Sequence, residues 1–321
     1  MTVDPKNACP VCGTSTRDAR SFECFDDRYV YPGRFHRQQC PNCSHCFIRE
    51  SFSEFELQNQ YTHYYPRSSF DLDHYVQYKK DNPFASWFNG DLYSPFLWVK
   101  PGSRVLDIGC GFGQSLGYLQ QQGCDVYGVE ADENIRRVAD KFGFKVHVGL
   151  FDPANYPDGF FDIVTMGQVV EHVGNPRQTL RDVARVLKPG GIVILSTPNA
   201  KGWGAAVFGK YWINWHAPYH LQLFTPESMQ ALAKQTGLRV TDVKTITPSE
   251  WLHSQWLHLL TYPDQGTPSI FWSPGGRWNY GRKAGRLMLR IIHRLKLNHL
   301  ATRVFDTFGL GDNKVYFLSK S

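Results

Sequence analysis

A chain of 321 residues, 42% hydrophobic and 20% charged, has room for one large folded unit with additions, which excludes a disordered or fibrous protein. A net charge of +6 suits a polyanion or an anionic membrane surface and does not choose between them. No stretch reaches the ~18 uncharged apolar residues that span a bilayer, and residues 1–8 hold no apolar run, so a cytoplasmic protein is expected.

Six of the eight cysteines fall within residues 9–46. Two matched tetrapeptides, Cys9-Pro10-Val11-Cys12 and Cys40-Pro41-Asn42-Cys43, each let two thiolates reach one ion from a tight turn, and Gly13 supplies the positive φ that follows the first. The spacing predicts a structural zinc site closed by Cys9, Cys12, Cys40 and Cys43, against the plainer reading of reduced core cysteines without metal. Cys46 repeats the spacing without the proline and is set aside as a spare; Cys24 reads as buried. Residues 1–50 are expected to form this zinc module, a scaffold or recognition element.

Residues 51–97 are dense in aromatics, among them Tyr61, Tyr64, Tyr65, Phe70, Tyr75, Tyr78, Trp87 and Phe96, and read as a helical linker that lids a pocket or packs between the module and the main domain. From residue 98 the pattern becomes an alternation of strands and helices. Strands are predicted at 105–108, 124–129, 145–148, 161–166, 192–197, 238–246 and 314–319. Helices are predicted at 114–122, stopped by Gly123, and at 134–142; a third starts from Asn175 as N-cap with Pro176 in its first turn, and another opens at Thr225-Pro226 and ends at Gly237. Lys188-Pro189-Gly190-Gly191 is read as the break between helix and strand. This is a doubly wound, Rossmann-like α/β fold, a seven-stranded sheet with its last strand antiparallel, over residues 98–321. Such sheets bind ligands at the carboxyl ends of their strands.

Val105-Leu106-Asp107-Ile108-Gly109-Cys110-Gly111-Phe112-Gly113 sets three glycines at alternate positions after the first of these strands, where missing side chains let a ligand lie on the backbone. A dinucleotide fingerprint would need Gly or Ala where Gln114 stands, which disfavours NAD. Asp107 near the loop suits the ammonium of an amino-acid moiety, and Glu130, at the end of the second strand, suits both hydroxyls of a ribose. Nucleoside plus amino acid points to S-adenosylmethionine.

At these residues the chain resembles the class I S-adenosylmethionine-dependent methyltransferases, in the group related to the ubiquinone-biosynthesis O-methyltransferases. The resemblance covers about residues 98–246 and also rests on Gln168-Val169-Val170-Glu171-His172-Val173, Leu187-Lys188-Pro189-Gly190-Gly191 and Ser196-Thr197-Pro198-Asn199. It implies that Asp107, Gly109, Cys110 and Gly111 surround the methionine part, that Glu130 holds the ribose, that Ala131 and Asp132 lie beside the adenine, and that Gln168 sits near the cofactor. A looser resemblance links the N-terminal cysteine pairs to methyltransferases of sugar, polysaccharide and natural-product pathways.

Methylating a hydroxyl needs alignment and a base. His216 and His220, in the segment after the fifth strand, and His172, after the fourth, are the candidates because imidazole titrates near neutral pH. The leading expectation is O-methylation of a small molecule, sugar or lipid-linked glycan. RNA methylation with the zinc module as reader is the runner-up, but residues 9–43 are nearly charge-balanced and no nucleic acid partner is expected. A non-catalytic cofactor-binding regulator is the third reading.

The 247–312 insertion, a possible substrate cap, carries eight Arg or Lys between 265 and 305 and no acidic residue. Ala284, Leu287, Met288, Ile291 and Leu295 share one face of a predicted helix, and Arg282, Arg286, Arg290 and Arg294 another. Either the apolar stripe docks on the fold, or the helix caps the substrate pocket and touches an anionic membrane or lipid-linked acceptor. The aromatic run Trp251, Trp256, Tyr262, Phe271, Trp272, Trp278 and Tyr280 is read as stacking surface beside it.

Overall fold

The computed structural model describes residues 7–64, 72, 75–273 and 280–320; Tyr65, Phe70 and Trp278 lie outside the described residues. Strands β1 (Arg20–Cys24), β2 (Phe35–Gln39) and β3 (Cys46–Ile48) pair antiparallel in that order, and a distant segment, Gln222–Leu223, pairs antiparallel with β3 as a fourth strand. One cysteine turn precedes β1 and the other joins β2 to β3, and both pack on the main fold: Arg177 Nε donates to the Pro10 carbonyl at 3.1 Å and Thr225 Oγ1 to the Cys43 carbonyl at 3.3 Å.

Helix α1 (Glu54–Asn59) starts from a capping box in which Ser53 and Glu56 exchange hydrogen bonds, and α2 (Pro83–Asn89) from an Asn82 side chain bonded to the Ala85 amide. The main sheet then builds in chain order: β4 (Arg104–Ile108), α3 (Gln114–Gln121), β5 (Asp125–Glu130), α4 (Ile135–Phe142), β6 (Lys145–Val148), β7 (Phe161–Gly167), α5 (Pro176–Val186) and β8 (Leu187–Pro198). These five strands are parallel, and β4, β7 and β8 are apolar on both faces because helices cover both sides. After α6 (Trp203–Phe208) and β9 (Gln222–Leu223) come α7 (Pro226–Gln235), β10 (Leu238–Thr245), α8 (Glu250–Leu260), α9 (Tyr280–Arg294), α10 (Leu297–Thr307) and β11 (Asn313–Lys320). The sheet order is β10-β11-β8-β7-β4-β5-β6, with β11 antiparallel between β8 and β10.

Lys188-Pro189-Gly190-Gly191 does not separate helix from strand as expected. The strand already pairs at Leu187, opposite Phe161, and pairing resumes at Ile192, opposite Ile163, so the four residues bulge out of a continuous strand with Gly190 at φ +74°. Among the described residues no helix is long and apolar enough to cross a membrane.

The insertion departs most from expectation. Helix α9 turns Leu289 inward, and His253, His293 and His299 stack between α8, α9 and α10, while Leu287, Met288, Ile291 and Leu295 are exposed. The expected apolar stripe is therefore not docked on the fold. The expected arginine row is divided too: Arg282 and Arg286 are half-buried, Arg290 and Arg294 exposed.

Arg37 joins the two sheets. Its buried guanidinium donates from one nitrogen to the Trp215 carbonyl at 2.9 Å and the His220 carbonyl at 2.8 Å, and lies over the Trp215 ring. Arg37→Met leaves two buried carbonyls without donors and should lower unfolding free energy by about 3 kcal/mol in urea titration; a loss under about 0.5 kcal/mol would contradict this joint.

Candidate active site

The carboxyl ends of β4, β5, β7 and β8 collect the site. After β4 the chain makes an open loop in which Gly109, Gly111 and Gly113 have φ of +74°, +55° and +74°. A β-carbon on Gly109 would lie 2.4 Å from Val169 Cγ2, whereas one on Gly111 would meet nothing within 4 Å, so the loop is pressed against the turn after β7 and open at its tip. Such a bare, concave backbone is what a methionine moiety fits. Tyr75 reaches it from the aromatic segment and donates to the Gly113 carbonyl at 3.0 Å.

Glu130, at the end of β5, accepts from the Gly111 amide and the Asp132 amide, both at 2.9 Å. Each oxygen keeps a lone-pair site for a ribose hydroxyl. Asp107 is buried and accepts from Ser115 Oγ and from Thr165 Oγ1 at 2.6 Å; burial pushes its carboxyl up to about 6. It is therefore a carboxyl tied down beneath the glycine loop, where a direct contact with a ligand ammonium has only its remaining lone pairs. Cys110 is buried, its amide donating to the Val129 carbonyl. Ala131 is exposed, and Asp132 Oδ1 accepts from the amide and side chain of Asn134 at the start of α4, so this carboxylate organises the helix entry. Gln168 takes φ +57°, a conformation rare outside glycine, and its Nε2 donates to Ser196 Oγ at 3.0 Å and Asn313 Oδ1 at 2.9 Å, locking the tips of β7, β8 and β11 together.

His172, in the turn after β7, meets His216 and His220 of the segment before β9. The His220 ring centroid is 4.8 Å from His172 and 4.9 Å from His216. His172 Nδ1 lies 3.0 Å from the Tyr219 carbonyl and His220 Nδ1 2.8 Å from the Asn214 carbonyl. A carbonyl only accepts, so each Nδ1 carries the proton and each Nε2 keeps a lone pair. Burial lowers His172 to about 4 and takes His216 and His220 well below the ordinary imidazole value, so all three are neutral at pH 7. Glu171 beside them is fully buried and raised by that burial to about 8; Oε2 accepts from Thr197 Oγ1 at 3.0 Å, and Oε1 has no hydrogen-bond partner among the described residues. One donor atom from each of Glu171, His172 and His220 lies within 4.8 Å of the other two, close enough for one divalent cation to bridge.

Residues that sequence reasoning did not single out complete the wall. Tyr29 packs edge-on against His216 and Tyr219, and Arg28 donates to the Ile213 carbonyl while lying 4.1 Å from the Trp272 ring centre. Both come from the connection between β1 and β2, and nothing in their local sequence marks them.

The four cysteine sulfurs form a separate cluster. Cys9 and Cys43 are 3.7 Å apart and Cys12 and Cys40 3.5 Å, near the about 3.8 Å expected between sulfurs of a tetrahedral site with bonds of about 2.3 Å. Among the described residues no disulfide is present. Cys9 is held below the ordinary thiol value by its hydrogen bond with Cys43, and the same contact pushes Cys43 up. Cys46 stands outside the cluster with its sulfur near the Ser44 carbonyl, and Cys24, expected to be buried, is half-buried.

A methyltransferase-domain family model matches residues 84–243. A ubiquinone biosynthesis O-methyltransferase of Pseudomonas aeruginosa is 33% identical over 159 residues, 46% of this chain and 68% of that protein. The chain belongs to the class I S-adenosylmethionine-dependent methyltransferases. A second such relative, from Maricaulis maris, is 33% identical over 151 residues, 43% of this chain and 59% of its own length, so this methyltransferase spans less than two thirds of it. A solved complex of the Haloferax volcanii Trm112 methyltransferase activator with a putative methyltransferase is similar at 19% identity, 74% of this chain, 90% of that chain and a TM-score of 0.46. Residues 1–83 and 244–321 of this methyltransferase lie beyond the family match and include the cysteine cluster and α8 to α10.

Gly109→Ala should abolish measurable S-adenosylhomocysteine binding in calorimetry, because the new methyl must displace Val169 and the residue must hold a positive φ. Gly109→Ala with Val169→Ala should recover part of the affinity; equal loss in both would show that the contact with Val169 does not shape the loop.

Proposed function

We propose that this chain transfers a methyl group from S-adenosylmethionine to a hydroxyl of a small molecule, sugar or lipid-linked glycan in the cytoplasm. The observation that carries this reading is the pair of imidazoles His172 and His220, ring centroids 4.8 Å apart and each with Nδ1 committed to a backbone carbonyl, where the turn after β7 meets the segment before β9. The relatives named as O-methyltransferases support an oxygen acceptor.

In this reading Gly109, Cys110 and Gly111 seat the methionine part through backbone, Glu130 takes the ribose hydroxyls, Asp107 lends negative charge from below, Ala131 and Asp132 border the adenine, and Tyr75 covers the loop. S-adenosylmethionine, when bound, supplies a methyl group made electrophilic by its sulfonium. His220 Nε2, with His172 behind it and His216 closing the wall, receives the acceptor's proton as the oxygen–carbon bond forms and the carbon–sulfur electrons return to sulfur. A protonated ether is a far stronger acid than any imidazolium, so even an imidazole lowered by burial accepts this proton. Neutral groups and a dry wall of Tyr29, Tyr219 and Trp215 keep water from competing. Cys9, Cys12, Cys40 and Cys43 hold a structural zinc ion that fixes the N-terminal sheet, and through it Arg28, Tyr29 and Arg37, against the acceptor side.

Tritiated-methyl cofactor incubated with fractionated cell extract should label the small-molecule, glycan or lipid pool. His220→Gln should cut that transfer by about a hundredfold or more while S-adenosylhomocysteine affinity stays unchanged. Label confined to RNA would favour an RNA methyltransferase, and cofactor binding without transfer to any pool a regulator.

A further inference from the structure

We propose that the outward face of α9 and α10 is a docking surface for an anionic lipid bilayer. The inference rests on the proposed reading of a lipid-linked acceptor and deepens it by naming the surface on which that acceptor is met. On α9, Leu287, Met288, Ile291 and Leu295 are exposed, Leu287 at 59% and Leu295 at 65%. At about 100° per residue they fill a single arc of roughly 100°. On α10, Leu297, Leu300 and Val304 are exposed along one stripe, continued by Phe308 at 72% just beyond the helix. Single exposed apolar side chains are ordinary; six on two consecutive, contacting helices, with Leu295 and Phe308 just past their ends, are not.

The fold itself has no claim on this face, because α9 already packs inward through Leu289 and His293, and α10 through Asn298, His299, Thr302 and Arg303. Lys283, Arg290 and Arg294, all exposed, fall on the flank of the α9 stripe, and exposed Lys296 stands at the junction of the two helices. No acidic residue occurs between 265 and 305. An apolar stripe flanked by cations on flexible stems matches acyl chains below and anionic headgroups above. A second copy of the chain would instead bring two such basic rims together. The acceptor-side wall is linked to the insertion through Trp272, which stacks under Arg28 and donates to His258 of α8, so a bilayer held on α9 and α10 lies on the element that borders the site.

Co-sedimentation with vesicles of 70:30 phosphatidylcholine and phosphatidylglycerol at low salt should pull down the full chain, and phosphatidylcholine alone should not, the mixture being roughly anionic enough to recruit each exposed cation. Arg290→Gln with Arg294→Gln should weaken binding to the anionic vesicles about thirty-fold. Leu287→Ser with Ile291→Ser and Leu300→Ser should abolish it, and both variants should bind S-adenosylhomocysteine like the parent, since all five side chains are exposed. No sedimentation of the parent, or sedimentation indifferent to the leucine and isoleucine changes, overturns the proposal. A parent that is dimeric by light scattering, becomes monomeric in the serine variant and ignores vesicles also overturns it, in favour of self-association. Loss of S-adenosylhomocysteine binding in the parent would instead strike the methyltransferase reading and leave the vesicle result to be judged by itself.

Discussion

Two backbone carbonyls decide what the site can do. The Tyr219 and Asn214 carbonyls each take an Nδ1 proton, from His172 and His220, and so leave both Nε2 atoms as acceptors. Those carbonyls belong to a return segment that lies outside any long helix or strand, and its position is imposed from outside: Arg37 grips the Trp215 and His220 carbonyls, and the chain then joins β3 through β9. His45 extends the same joint by contacting Gln222 at 2.8 Å. The cysteine-bearing sheet is thus part of the construction of the site, sharing the hold on the segment that orients the imidazoles with Asp312 and Gln255 of the main fold, which bond Trp212 and Ile213.

The electrostatics follow from burial. Desolvation keeps His172, His216 and His220 neutral and raises Glu171 to about 8, and the buried guanidinium of Arg28 nearby lowers His216 and His220 further, with Arg37 adding to the effect on His220. In the proposed reaction the cofactor brings one positive charge, which ends on an imidazole as a proton. The negative field that favours the sulfonium comes from Glu130 and Asp107 on the cofactor side.

Much of the main fold was legible because its signals are local. Glycines at alternate positions, Asn175 before Pro176 and Thr225 before Pro226 each act within a few residues, and the structure caps α5 through Asn175 and α7 through Thr225. The histidines could be nominated by residue type, but their tautomers could not, since the deciding Tyr219 and Asn214 carbonyls lie in a segment whose Trp215 and His220 carbonyls Arg37 holds from 178 and 183 residues away. Asp107 was legible as an acid near the loop and not as the partner of Ser115 and Thr165, which arrive from another turn and another strand. Periodicity in α9 gave two faces without saying which one docks. The histidines and Leu289 fill the inner face, so the more apolar stripe is left outside, the reverse of the usual arrangement.

Everything proposed for the chemistry depends on backbone carbonyls holding the proton of His172 and His220 on Nδ1, which leaves Nε2 as the basic atom. Long-range proton–nitrogen correlation spectra of imidazole-labelled protein at pH 7, assigned with His172→Gln and His220→Gln, read this directly. Both rings should be neutral with the proton on Nδ1; a proton on Nε2 of either ring, or a doubly protonated ring, would contradict this arrangement.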